Sequence, residues 1–278
     1  MRTCKIYTPH PLLQPYIRLF HVFESKKGPD DEGFLRVTPE GSFEFNLSLN
    51  GPLTRKEADG TTRVQPDHYV LDRFSRHYFM HSSNDVCIVG ATFHPWGLRD
   101  FARVPSSEIN GLVTLEELFG NKVHELQERI LNSRNSDNAV KIIESYFLRQ
   151  LPGIAEPDRI VSDAASRIFR SHGSIGMNNL VSRYDISHRR LEQRFCDVIG
   201  VSPKFYARLV RFKHALRRIS SASDLNLTDI SIDCGYYDQS HFIRDFKSFT
   251  GTSPKRYLRE NRELNDLIMR FATLNNSF

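Results

Sequence analysis

The chain has 278 residues, of which 39% are apolar and 26% charged, and a formal net charge of +5. This is the ordinary globular balance, so a mostly disordered chain, a collagen and a small disulfide scaffold are excluded, and the length suits one large domain or two ordinary ones. Cys4, Cys87, Cys196 and Cys234 lie far apart with no C-x-x-C, which excludes a zinc knuckle and fits a reducing cytosol.

The first residues carry Pro9, Pro11, Pro15 and Arg18 where a signal peptide needs an unbroken apolar core. Apolar runs stay far below the roughly 20 residues that span a bilayer. The expectation is a soluble, cytoplasmic protein with no membrane partner. Between about residues 16 and 95 lie strand-like runs at Phe34–Val37, Phe43–Leu49 and Val86–Phe93. The second alternates with period two, and Gly, Pro, Asn and Asp punctuate the gaps, which predicts an antiparallel barrel or sandwich. His68, His77, His81 and His94 fall here. His77 and His81 share a face, but no carboxylate pattern accompanies them, so neither a metal nor another cofactor is expected. No P-loop, G-x-G-x-x-G or nucleophile elbow is present, and no catalytic residue is assigned. Trp96, between Pro95 and Gly97, reads as a packed anchor.

From Thr114 to Leu151 the apolar period becomes helical, through Leu115, Leu118, Phe119, Val123, Leu126 and Ile130, then Ile142, Ile143, Tyr146 and Phe147. This predicts two helices. A stripe only partly covered by the barrel would suit a homodimer contact. Leu151-Pro152-Gly153 and Glu156-Pro157 then mark a linker.

Charge divides at the same place. Residues through Gly153 sum to −1, the remainder to +6, and Asp158 to Arg262 alone to +8. A basic region joined to a neutral one suggests a polyanion partner for the first and another task for the second.

The basic region repeats at an offset of 51 residues. Gly200-Val-Ser-Pro-Lys-Phe-Tyr-Ala-Arg208 overlays Gly251-Thr-Ser-Pro-Lys-Arg-Tyr-Leu-Arg259 with six of nine positions identical. Upstream, Leu191, Phe195 and Val198 pair with Phe242, Phe246 and Phe249, an i, i+4, i+7 buried stripe. Each unit is thus a striped helix, a Gly stop, a Ser N-cap and a Pro at the first helical position. Each also has a shorter helix upstream, Met177–Tyr184 and Thr228–Cys234, followed by a turn at Asp185 or Gly235. Helix, turn and capped helix make a helix-turn-helix.

The stretch GYYDQSHFIRDFKSFTGTSPKRY (Gly235–Tyr257) resembles the signature of the AraC/XylS family of bacterial transcription regulators. Upstream, ISHRRLEQRFCDVIGVSPKFYARLVRFKHALRR (Ile186–Arg218) resembles the family's first motif and linking helix. The chain departs from the family at Val181 and Ser231, where Ala is usual, and at Asp185, where Gly is common. PEGSFEFNLSLNGPL (Pro39–Leu53) and GATFHPWGLRDFARVPSSEINGLVTLEELFG (Gly90–Gly120) resemble the N-terminal, cupin-like domain of one AraC-type subfamily. The resemblance implies an α+β protein: a cupin-like antiparallel β-barrel with two following helices, then an all-α domain whose two helix-turn-helix motifs are joined by a long helix. The expected divisions are 1–151 for sensing or dimerisation, 152–157 for the linker, 158–262 for DNA binding and 263–278 for a tail.

It further implies sequence-specific transcription regulation, with each recognition helix entering one of two successive major-groove segments of double-stranded DNA. RNA polymerase would be a further partner, and domains like the N-terminal one bind small-molecule effectors or dimerise in related regulators. A helix from Pro203 to Ile219 would span about 25 Å, a plausible strut for two heads near one DNA turn apart. The expected DNA-binding residues are Ser187, His188, Arg189, Glu192 and Gln193 in the first motif and Gln239, Ser240, His241 and Arg244 in the second. Lys204, Lys255 and Arg256, in first turns where cations oppose the helix dipole, are expected to meet phosphates. Arg211 and Arg217 are read as structural. The alternative is an enzyme, a nucleotide- or sugar-modifying barrel fused to a DNA-binding module.

Overall fold

The computed structural model describes residues 2–26, 34–72, 74, 77–133, 135–221 and 226–260; the tail expected at 263–278 lies outside them. The strands are β1 (Arg2–Tyr7), β2 (Ile17–Ser25), β3 (Leu35–Val37), β4 (Phe43–Asn50), β5 (Thr54–Lys56), β6 (Thr62–Val64), β7 (His68–Asp72), β8 (Tyr78–His81), β9 (Val86–Phe93) and β10 (Leu112–Thr114). They form a six-stranded sheet of order β1-β2-β9-β4-β7-β10 and a four-stranded sheet of order β3-β8-β5-β6, and the described pairings are antiparallel. The three runs expected as strands are β3, β4 and β9. β1 and β2 complete the larger sheet.

Period-two alternation gives that sheet two different faces. Phe43, Phe45, Leu47, Val89, Ala91 and Phe93 turn toward the helices and are buried. On the reverse face Ile88 and Phe23 pack with Leu53 and Met80 of the smaller sheet's segments, and His21 bridges Asn46 (3.1 Å) and Thr92 (3.3 Å). The buried imidazole is therefore satisfied through both ring nitrogens, as a polar group in a core must be.

Helices α1 (Leu98–Ala102), α2 (Leu115–Phe119), α3 (Lys122–Leu131) and α4 (Ser136–Gln150) cover the apolar face. The segment expected as two helices is three, because Gly120 adopts φ +65° and stops α2 after a Thr114–Glu117 capping box. The apolar stripe is spent inside the chain. Val123, Leu126, Ile130, Ala139, Ile143 and Phe147 are buried, and Phe147 meets Phe45, Phe93 and Phe101 edge-to-face at 5.1, 5.5 and 5.1 Å. Among the described residues the stripe expected to suit a homodimer contact is thus mostly covered, with Leu118, Phe119 and Ile142 half-buried.

The helical half comprises α5 (Arg159–Arg170), α6 (Met177–Tyr184), α7 (His188–Ile199), α8 (Pro203–Ser221), α9 (Leu227–Asp233), α10 (Gln239–Thr250) and α11 (Pro254–Glu260). α8 has 19 residues, about 28 Å of strut. It buries Tyr206, Leu209, Val210, Phe212, Leu216 and Ile219. One apolar cluster runs from the sheet through α8 to both short helix pairs.

Candidate nucleic-acid interface

The two motifs are built alike. After α6 the chain turns at Asp185, φ +50°, and the Ser187 hydroxyl accepts the Arg190 N–H at 3.2 Å to open α7. After α9 it turns at Gly235, φ +76°, and Asp238 accepts the His241 N–H at 2.6 Å to open α10. Gly200 and Gly251, φ +91° and +71°, end the two helices. Leu191, Phe195 and Val198, like Phe242, Phe246 and Phe249, are buried as the repeat predicts.

Burial of one stripe leaves the opposite faces outward. Ser187, His188, Arg189, Glu192 and Gln193 are exposed at the first motif, and Ser240 and Arg244 at the second. Gln239 and His241 are half-buried. Gln239 Oε1 accepts the Thr228 hydroxyl at 3.1 Å, and the His241 ring lies edge-on to Tyr236 at 5.3 Å. His188 contacts Asn178 of α6 at 2.9 Å. These three side chains therefore tie each recognition helix to its own motif. Lys204 and Lys255 are exposed in first turns of α8 and α11. Arg256 is held by Glu260 one turn on, so its charge is partly offset within α11. Arg211 donates to the Gly173 carbonyl at 2.9 Å, the structural part expected of it. Arg190, Lys247 and Tyr237, the last 90% exposed, are exposed on the two motifs as well. Their positions beside Arg189, one turn from Arg244 and in the turn before Asp238 were signals available in the sequence. Burial raises the Cys196 and Cys234 thiols above their ordinary range, so neither is an activated nucleophile.

The sheet half grips both motifs in the last turn of the recognition helix. The Ser106 hydroxyl donates to the Val198 carbonyl at 2.7 Å, and Arg36 donates to the Thr250 carbonyl. These are the last-turn carbonyls that a helix C-terminus leaves unsatisfied. Arg99 adds an ion pair to Asp197 at 3.0 Å. A Cβ on Gly200 would come within 2.9 Å of the Ser106 carbonyl oxygen, and one on Gly251 within 2.5 Å of the His77 ring. Lys213 on α8 pairs with Glu40 at 2.7 Å, both largely buried. Among the described residues no group of three His, Cys, Asp or Glu side chains could hold a metal ion, and no helix is long and apolar enough to cross a membrane.

Residues 180–260 match the family model described as "Helix-turn-helix domain", and residues 5–114 match one described as "Domain of unknown function (DUF6597)". The HTH-type transcriptional activator RhaS of Escherichia fergusonii is 31% identical over 93 residues, which are 32% of this chain and 32% of that protein. RhaS of Escherichia coli O139:H28 is 27% identical over 164 residues, 58% of this chain and 49% of that one. The chain thus spans 32% and 49% of the length of these relatives. Among solved structures, ToxT from Vibrio cholerae superposes with a TM-score of 0.47 at 11% identity, covering 86% of this chain and 97% of that one.

Proposed function

The helical half is a DNA-binding domain of the AraC/XylS regulators, and on that premise we propose that the chain is a sequence-specific transcription regulator that reads two adjacent major-groove segments with α7 and α10. The observation that carries this reading is the pairing of two equivalently capped helices, each with one face buried and a polar face exposed, on a single strut. Arg189 and Arg244 would read guanine, Gln193 adenine and Glu192 the cytosine amino group. Ser187, Ser240, Lys204 and Lys255 would hold phosphates, with Arg256 a weaker contributor. His188, Gln239 and His241 would keep the helices in register from their partly engaged positions.

The proposed divisions are residues 1–151 for effector sensing, 152–157 as linker and 158–262 for DNA binding. RNA polymerase is the further partner, and the site of action is the cytoplasm. A regulator is favoured over the enzyme fusion because the relatives named above are transcriptional activators. A homodimer, if formed, needs a surface other than the stripe on α3 and α4.

The test is selection of duplexes from a random library by the full chain, followed by footprinting. Two protected patches about one turn apart are expected. A single patch, or no enrichment over random sequence, would overturn the reading.

A further inference from the structure

Outside the DNA-facing surface, a cavity of about 670 Å³ lies between α1, the α2–α3 corner and the end of α4. That volume suits a small organic ligand. Its inner wall is aromatic: Phe101 and Tyr146 are buried, and Phe119 meets Tyr146 edge-on at 6.4 Å. Its rim is cationic, with Arg103, Lys122 and Arg149 all exposed at the opening. None of the three has an ion-pair partner among the described residues. The one carboxylate on the wall, Glu125, pairs with Arg129 instead.

Three further features converge there. Gln150, its amide nitrogen buried, lies on the same wall and hydrogen-bonds the Tyr146 hydroxyl. Asn121 opens α3 without a side-chain cap, at the same wall. Arg103 holds φ +59°, a left-handed conformation costly for a residue with a Cβ, and its guanidinium lies beside Gly153.

We infer that this cavity is a binding site for a small, ring-bearing organic anion of two or more negative charges. The ring would lie against Phe119 and Tyr146. The charged group would take Arg103, Lys122 and Arg149. A monoanion leaves two of the three cations unanswered, and a neutral ring leaves them all. The same short helix that supplies Phe101 to the cavity carries Arg99, which pairs with Asp197 in the last turn of the first recognition helix. Occupancy is thereby linked to α7, which makes the ligand a candidate effector; this part of the inference rests on the regulator reading.

The test is calorimetric titration of the full chain with phenyl phosphate, phthalate, benzoate and inorganic phosphate. Saturable binding of phenyl phosphate or phthalate at one site is expected, with benzoate and inorganic phosphate at least about tenfold weaker. Stronger binding of phenyl phosphate assigns a phosphate ester, and stronger binding of phthalate a dicarboxylate. Lys122→Gln combined with Arg149→Gln, both exposed positions, should weaken the preferred ligand at least about tenfold while Glu125→Gln does not weaken it. Absence of saturation by either dianion up to the millimolar range overturns the site, as does unaltered affinity in the double variant. Ligand-free DNA affinity, measured on the same preparations, should be unchanged by these substitutions. Loss of all DNA binding by the wild-type chain would sink the regulator reading alone, because the anion titration is scored without DNA.

Discussion

Arg208 on the linking helix donates through Nε and Nη2 to one carboxylate oxygen of Asp245 on the second recognition helix, and that carboxylate is 5% exposed. The equivalent position in the first unit is Arg194, which donates to Asp158 at the start of α5. The repeat has kept the strap between recognition helix and preceding helix and reversed its sign. We predict that Asp245→Ala lowers stability by about 1.5–3 kcal/mol, the range for hydrogen bonds to a charged group. The check is a urea titration of Asp245→Ala, Arg208→Ala and the double variant. Additive losses would mean that the two residues are not coupled.

Phe246 is fully buried against Phe212, Phe242 and Tyr257 at centroid distances of 5.5, 5.7 and 5.5 Å. Truncation to Ala in such a site typically costs about 3–5 kcal/mol. We expect Phe246→Ala to melt well below the wild type and to lose DNA affinity with it. An unchanged melting temperature would contradict the packing register of α10.

Arg189 and Arg244 are exposed on separate recognition helices. We predict that Arg189→Ala and Arg244→Ala each cost about 1–3 kcal/mol on the preferred duplex and relax base preference at two places about one turn apart. Binding to a panel of single-base variants reads this directly. Loss of discrimination at the same base pairs in both variants would rule out two-headed docking.

The +8 charge from Asp158 to Arg262 predicts a steep fall of affinity with salt. The slope of log K against log salt should be near −0.9 per phosphate neutralised. Lys204→Gln should weaken all duplexes alike and reduce the slope by about one such contact. A flat dependence on a selected site would remove phosphate contacts from the account.

His94 stacks on Trp96 at 4.9 Å, and burial, assisted by the Arg18 charge, lowers its pKa from 6.5 to about 4. The folded state therefore holds the ring neutral while the unfolded chain takes up a proton near pH 6.5. Stability is full above that pH and falls as pH drops from about 6.5 toward 4, by roughly 3 kcal/mol at most. Melting curves across this window should show a shallower pH dependence in His94→Gln than in the wild type. Equal slopes would place the proton uptake elsewhere.

Much of the helical half could be read before any coordinates. Gly200, Gly251, Ser187 and Asp238 act through local backbone geometry, which sequence records directly, and the Leu191–Val198 and Phe242–Phe249 stripes are matters of spacing. β1 and β2 were harder: Arg2–Tyr7 lacks a clean alternation, and its strand character comes from pairing with β2. The half-engaged states of Gln239, His241 and His188 depend on Thr228, Tyr236 and Asn178 across a turn, contacts that no spacing rule specifies. The cavity at Arg103, Lys122 and Arg149 joins three elements up to 46 positions apart, which only the packing of α1 against α4 brings together.

Ser106 and Arg36 each cap the far end of one recognition helix, at carbonyls one residue apart in the register of the internal repeat. The two heads are consequently fastened to a common chassis as well as to each other, so α8 is not a free hinge between them. An operator whose two half-sites are moved apart, by about five base pairs or by a full turn of about ten, would demand a rotation or a stretch that breaks one fastening, and either insertion should reduce binding to that of a single head.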